Sequence, residues 1–245
     1  MSNDKRPSIG QNIDNGTMKL KKCEKELFEN WPKTKKKFVT DGIVNENKWN
    51  KSLKKILYIL KEANDPDGGG WDLSDFVAKG GKPQTWDNIA RWTYGILNLN
   101  KEIFWNEIKN ISNDFRKEWL QSICVVNLKK VPGGHTTNNN ALAKQVEEDK
   151  QSLQKQFNLY SQQVDIIICC GTIVSRLFHY HVNDYPNYNW GTTSRGINYH
   201  QIGENRFLIE YLHPEDRVGN FDNILFYGLI DAIKEIFKRT LPNTA

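Results

Sequence analysis

The stretch Ile56-Leu57-Tyr58-Ile59-Leu60 runs without a break into Lys61-Glu62-Ala63-Asn64-Asp65, and the pattern returns twice. Ile123-Cys124-Val125-Val126 runs into Asn127-Leu128-Lys129-Lys130, and Phe207-Leu208-Ile209 runs through Glu210-Tyr211-Leu212 into His213-Pro214-Glu215. Short β-branched and leucine-rich runs bounded by turn chemistry read as buried strands of a parallel sheet. Ligands of open α/β sheets bind in the crevice outside the carboxyl ends of the strands. A carboxylate, an amide and an imidazole are therefore expected to converge on one rim.

Outward from these runs the chain alternates. A strand over 55–60 is followed by a long glycine-rich loop, 64–85, and by a helix with Ile89, Trp92, Ile96 and Leu99 at helical spacing. A helical patch over 113–120 leads to a strand over 122–127, and a helix carries Leu142, Val146, Leu153 and Phe157 on one face. Then come a strand over 164–170, a helix over 172–181, an aromatic-polar loop over 182–196, and strands over 197–202 and 206–211. The last helix has Phe226, Leu229, Ile230, Ile233 and Phe237 on one stripe. This order predicts an α/β fold, a three-layer α/β/α sandwich with a mostly parallel, four-stranded central sheet. Residues 1–17 have no period and are expected to be disordered; 18–54 read as a basic helical extension, and 55–245 as the α/β/α domain.

Composition sets the bounds. The 245 residues are 38% hydrophobic, enough for one sizeable core. No run reaches membrane-span length, and Met1-Ser2-Asn3-Asp4-Lys5-Arg6 opens no signal peptide, so a cytoplasmic protein is expected. Lysine and arginine number 34 against 29 acidic residues, a formal charge of +5 that permits a nucleic-acid partner without requiring one. The lysine runs at 19–22 and 33–37 read as solvated faces. Four cysteines lack metal-site spacing, and adjacent Cys169 and Cys170 should face opposite sides of a strand.

With these motifs in order, residues 55 to the carboxyl terminus resemble the uracil-DNA glycosylase superfamily. Lys61-Glu62-Ala63-Asn64-Asp65 stands where that family has Gly-Glu-Ala-Pro-Gly or Gly-Gln-Asp-Pro-Tyr after its first strand. Val125-Val126-Asn127 is similar to the strand that ends in a base-reading asparagine. Ile166-Ile167-Ile168-Cys169-Cys170-Gly171 resembles the strand that ends in glycine, and His213-Pro214-Glu215 the late His-Pro-Ser motif. The departures are Lys61 for glycine, Asn64 for proline and Glu215 for serine. Asp65 stands where uracil-specific members place a tyrosine that blocks C5 substituents, so that block is absent.

The resemblance implies a cofactor-free, metal-independent DNA glycosylase that flips out uracil or, favoured by the open pocket, a C5-modified pyrimidine, and leaves an abasic site. A role against modified invading DNA fits the same reading. Glu62 would stabilise the sugar cation, with Asp65 the second choice, and His213 would meet the leaving base. Asn127 and Asn64 would read the base, with Trp71 or Phe76 stacking on it. Lys129, Lys130, His135, Arg195 and Arg217 would contact DNA. Alternatives are a catalytically silent DNA-binding relative and a nucleotide-processing α/β hydrolase. Tyr185, Tyr188 and Trp190 beside Arg195 suit stacking or a satellite cluster. His179, His181 and Asp184 lack the spacing of a zinc site. DNA is the expected partner, and a monomer the expected state.

Overall fold

A computed structural model describes residues 19–31, 38–66, 68–134, 138–183, 190–215 and 221–240. The chain begins with α1 (Leu20–Glu29), β1 (Gly42–Ile43), α2 (Glu46–Lys51) and β2 (Ile56–Leu60). Next come α3 (Leu73–Ala78), α4 (Pro83–Leu97), α5 (Trp105–Ile108), α6 (Asn113–Leu120) and β3 (Ile123–Asn127). The second half holds α7 (Asn139–Tyr160), β4 (Ile166–Cys170), α8 (Thr172–Leu177), β5 (Trp190–Thr192), β6 (Asn198–Gly203), β7 (Arg206–Tyr211) and α9 (Asp222–Thr240).

The fold is α/β, and among the described residues it is built on one mixed, seven-stranded sheet in the order β1-β3-β2-β4-β7-β6-β5. The four inner strands β3, β2, β4 and β7 run parallel; β1, β6 and β5 pair antiparallel at the two sides. Every residue of β2, β3 and β4 is buried, as unbroken apolar runs require when both sheet faces are covered. Strand alternation sorts the side chains into two layers. Tyr58, Leu60, Val125, Ile168 and Cys170 pack with α3, α4 and α9, while Leu57, Ile59, Cys124, Val126 and Cys169 pack with α1, α2, α7 and α8. Cys169 and Cys170 thus face opposite layers, and all four cysteines are free.

The expected four-strand sheet is therefore too small. The additions are short edge elements: β1 has two residues and sits at an Asp41-Gly42 turn signal, and β5 has three within the loop read as aromatic and polar. Inside the predicted loop 64–85 lies α3, whose amino end is capped by Asp72 accepting from Ser74 N at 2.7 Å. The helix predicted over 172–181 is α-helical only to Leu177, then continues as a π-helical turn, Phe178–Val182.

Nor is the amino-terminal stretch an appendage. Leu20, Phe28 and Trp49 are buried in the α7 layer, and β1 extends the sheet. Glu24 Oε1 accepts from Ile43 N at 2.8 Å and from the Tyr160 hydroxyl at 2.7 Å, tying α1 to β1 and α7. Burial pushes the Glu24 carboxyl above the usual carboxylate range, opposed by Lys21 and these hydrogen bonds. A carboxyl raised by folding contributes stability that is complete below its unfolded-state value and lost as pH rises through its folded-state value. Glu24→Gln, neutral throughout, should gain stability relative to the parent as pH rises from the ordinary carboxylate range toward neutral. Urea denaturation across that range checks this; a pH-independent difference would contradict it.

Residues 1–17 lie outside the described residues. No helix among the described residues is long and apolar enough to cross a membrane.

Candidate active site

The chain leaves β2 for β3 on one side through α3 to α6, whereas β4 leads away through α8 in the opposite layer. The crevice between the carboxyl ends of β2 and β4 is thus a topological switch point, the place where such sheets bind ligands. Glu62 follows β2, Asn127 closes β3, Gly171 follows β4 and His213 follows β7. β7 stands two strands from β2, roughly 10 Å at normal strand spacing.

β2 and β3 stay paired past their formal ends. Leu128 N donates to Leu60 O and Lys129 N to Lys61 O, both at 2.9 Å. After a short excursion, Gly133 N donates to Ala63 O at 2.9 Å and Asp65 N to Gly133 O at 3.0 Å. Lys129 and Lys130, just past β3, meet different carboxylates, Glu62 and Asp41. The Lys129 ammonium pairs with the Glu62 carboxylate, whose side chain is only 6% exposed. Gly133 lies against the same carboxylate; a Cβ built there would stand 2.4 Å from the Glu62 carboxyl carbon. Glu62 is held between a cation and a bare stretch of backbone.

Asn127 is 2% exposed and lies opposite Leu60. Its backbone N donates to Asp41 Oδ2 at 2.8 Å, while its side-chain Oδ1 is buried with no hydrogen-bond partner among the described residues. A buried polar atom left unsatisfied costs about 1–3 kcal/mol. At His213, Nδ1 accepts from Glu215 N at 3.2 Å. An Nδ1 that accepts places the proton of the neutral ring on Nε2, which makes that nitrogen the donor. Pro214 O accepts from Asn88 Nδ2 at 2.9 Å, and Thr85 donates to the Glu215 carboxylate, so α4 holds this turn in place.

Several expected roles change. Asp65 organises the glycine loop: its Oδ2 accepts from Gly69 N at 2.9 Å and Trp71 Nε1 at 2.8 Å. It is thereby tied to the loop. Trp71 stands 5.7 Å from Phe76, and both rings are partly buried against the α4 layer. Asn64 is exposed and bridges Gly133 through its backbone.

Lys130 was expected on DNA, but its side chain is wholly buried. It donates to Asp41 Oδ1 at 2.6 Å and Oδ2 at 2.8 Å, and lies over the Phe28 and Trp31 rings at 5.6 and 5.5 Å. Burial pushes the Asp41 carboxyl up and the Lys130 ammonium down, each opposed by attraction to the other. Gln156 Nε2 donates to Asp41 Oδ1 at 2.7 Å, so Asp41 joins α7, Lys130 and the Asn127 backbone. Sequence reasoning missed Asp41 because Asp41-Gly42 has only turn chemistry.

Arg195 pairs with Asp231 of α9, and Lys129 with Glu62. His135 and Arg217 lie outside the described residues, as do Asp184, Tyr185 and Tyr188. His181 Nδ1 meets Glu147 at 2.5 Å, while the His179 ring lies 6.0 Å from Trp190, so the two imidazoles diverge. Among the described residues no group of three His, Cys, Asp or Glu side chains could hold a metal ion. Glu62 and Asn127 line neither of two open cavities of about 340 and 360 Å³, near Asp41 and near Pro214 respectively. What places Glu62, Asn127 and His213 on one rim is the shared direction of β2, β3 and β7.

Comparison with protein-family models and with curated proteins finds no match to this chain.

Gly133 allows a direct check on the rim. In Gly133→Ala the clash falls on the far end of the Glu62 side chain, so it is relieved by moving the carboxylate rather than the backbone. A misplacement near 1 Å at a catalytic group costs up to about 100-fold in rate. Gly133→Ala should therefore fold normally and lose roughly 10- to 100-fold in the activity proposed below. Paired denaturation and rate measurements test this.

Proposed function

We propose that this protein is a DNA glycosylase that flips a pyrimidine out of the helix and hydrolyses its N-glycosidic bond. In this reading the fold is a divergent uracil-DNA glycosylase-like sandwich whose parallel core is β3-β2-β4-β7. The observation that carries the proposal is the buried, unpartnered Asn127 Oδ1 one strand from the Glu62 carboxylate, on the rim beside the switch point. An acceptor beside an amide donor complements a pyrimidine edge. A base inside a duplex is out of reach, so the enzyme must extrude it and recover the unstacking cost through contacts at the rim.

Bond cleavage leaves positive charge on the sugar and negative charge on the departing base. Glu62 stabilises the first and orients the attacking water; His213 Nε2 donates to the second. Asp65 stands where a blocking tyrosine would be and is turned into its own loop, which supports a C5-modified pyrimidine as the base. One observation favours a second reading. The Lys129 ammonium partly neutralises Glu62, and a neutralised carboxylate stabilises a sugar cation poorly, as in a catalytically silent DNA-binding relative.

Labelled duplexes carrying uracil, mismatched thymine, or hydroxymethylated or glucosylated cytosine separate the two after alkali cleavage of abasic sites. Strand breaks at one modified pyrimidine are expected. Binding without breaks on any substrate would favour the silent relative, and turnover of free mononucleotides a nucleotide hydrolase.

A further inference from the structure

The hydrolytic mechanism gives Lys129 nothing to do, and its charge opposes the sugar cation that Glu62 is there to stabilise. Yet the residue is firmly held. Its backbone N is bonded to Lys61 O at 2.9 Å, and its ammonium touches the Glu62 carboxylate. The side chain is 18% exposed, in contrast to the sealed Lys130 one residue on. A primary amine is thus fixed next to the group that faces the sugar, with a carboxylate able to take its proton.

We infer that Lys129 is the nucleophile of a second activity at the same rim, cleavage of the DNA strand at the abasic site. This inference rests on the base-excision reading, whose product supplies the substrate. Once the base has left and water has added, the deoxyribose opens to an aldehyde at C1′. Lysine amines condense with carbonyl carbons. Glu62 first accepts a proton from the Lys129 ammonium. The freed amine attacks C1′ and a C–N bond forms; the carbonyl oxygen takes one proton from the amine and one from Glu62 and leaves as water, giving a protonated imine. Glu62, again a carboxylate, then removes a proton from C2′. The electron pair of that C–H bond becomes the C2′–C3′ double bond as the C3′–O bond breaks and the 3′-phosphate departs. Water hydrolyses the imine, releasing an unsaturated aldehyde and restoring the amine. No oxidant, reductant or metal enters the balance.

The test uses the full chain and a duplex carrying one preformed abasic site, so base release is bypassed. Sodium cyanoborohydride reduces the imine to a stable protein–DNA adduct. Denaturing electrophoresis should show the adduct, and peptide mass mapping should place it on Lys129. Without reductant, the strand should be cut on the 3′ side of the site, and methoxyamine, which blocks the aldehyde, should abolish both signals. Lys129→Arg should lower the adduct yield by roughly tenfold or more. Mapping on the unsubstituted protein decides the matter whether or not the variant folds. An adduct no stronger than with a tetrahydrofuran abasic analogue would overturn the inference, as would one on another lysine or the terminal amine. Base excision without an adduct would remove the strand-cleaving activity alone. An adduct on Lys129 without excision of any base would leave it standing and remove the glycosylase.

Discussion

Glu62→Gln should lower single-turnover base release by roughly 100-fold or more, the usual cost of deleting a group aimed at transition-state charge. Glutamine keeps the shape and one carbonyl acceptor but carries no negative charge to face the sugar cation. Because the Glu62 side chain is 6% exposed and paired with Lys129, its removal also has a structural cost. That cost should be about 1–3 kcal/mol, since the glutamine oxygen still accepts from the ammonium. A folded variant with near-parental rate would place the chemistry elsewhere. Rates measured at saturating protein, alongside a urea denaturation curve, separate the two effects.

Asp41→Ala should be the most damaging single change to the fold. It would strand the Lys130 ammonium at a position where neither partner's side chain is exposed. Breaking one side of a buried ion pair costs about 3–5 kcal/mol, a large part of the roughly 5–15 kcal/mol that holds a domain together. Gln156 Nε2 and Asn127 N would lose their acceptor as well. The double variant Asp41→Leu/Lys130→Met should recover most of the stability, because apolar replacement of both partners is often neutral. It would still lack the acceptor that anchors the Asn127 backbone. It should therefore be a stable protein with weakened base release. Denaturation midpoints of the single and double variants measure the first claim. A loss below about 1 kcal/mol in the single variant would show the pair to be dispensable.

What could be read from the amino acids follows the physics of burial. β2, β3, β4 and β7 announce themselves as apolar runs because both of their faces are covered. Their carboxyl ends carry Glu62, Asn127 and His213 onto one rim, as read from the chain. β1 and β5 are edge strands of two and three residues, too short for any period to show. Lys129 and Lys130 look alike in sequence, and only the tertiary pairing sends one to Glu62 and seals the other against Asp41. The roles of Asp65 and Gly133 were equally hidden. Each depends on a contact between a side chain and the backbone of a distant or glycine-rich loop, where no residue pattern records the pairing.

Release of a pyrimidine from DNA at this rim would be seen by mass spectrometry of the free base. Duplexes carrying uracil and C5-modified pyrimidines are incubated with the parent protein and with Glu62→Gln, and the small-molecule fraction is analysed. One free pyrimidine should appear with the parent and be lost with the variant. Equal release by both proteins would place the chemistry away from Glu62, and no free base from any duplex that the parent binds would rule out base excision.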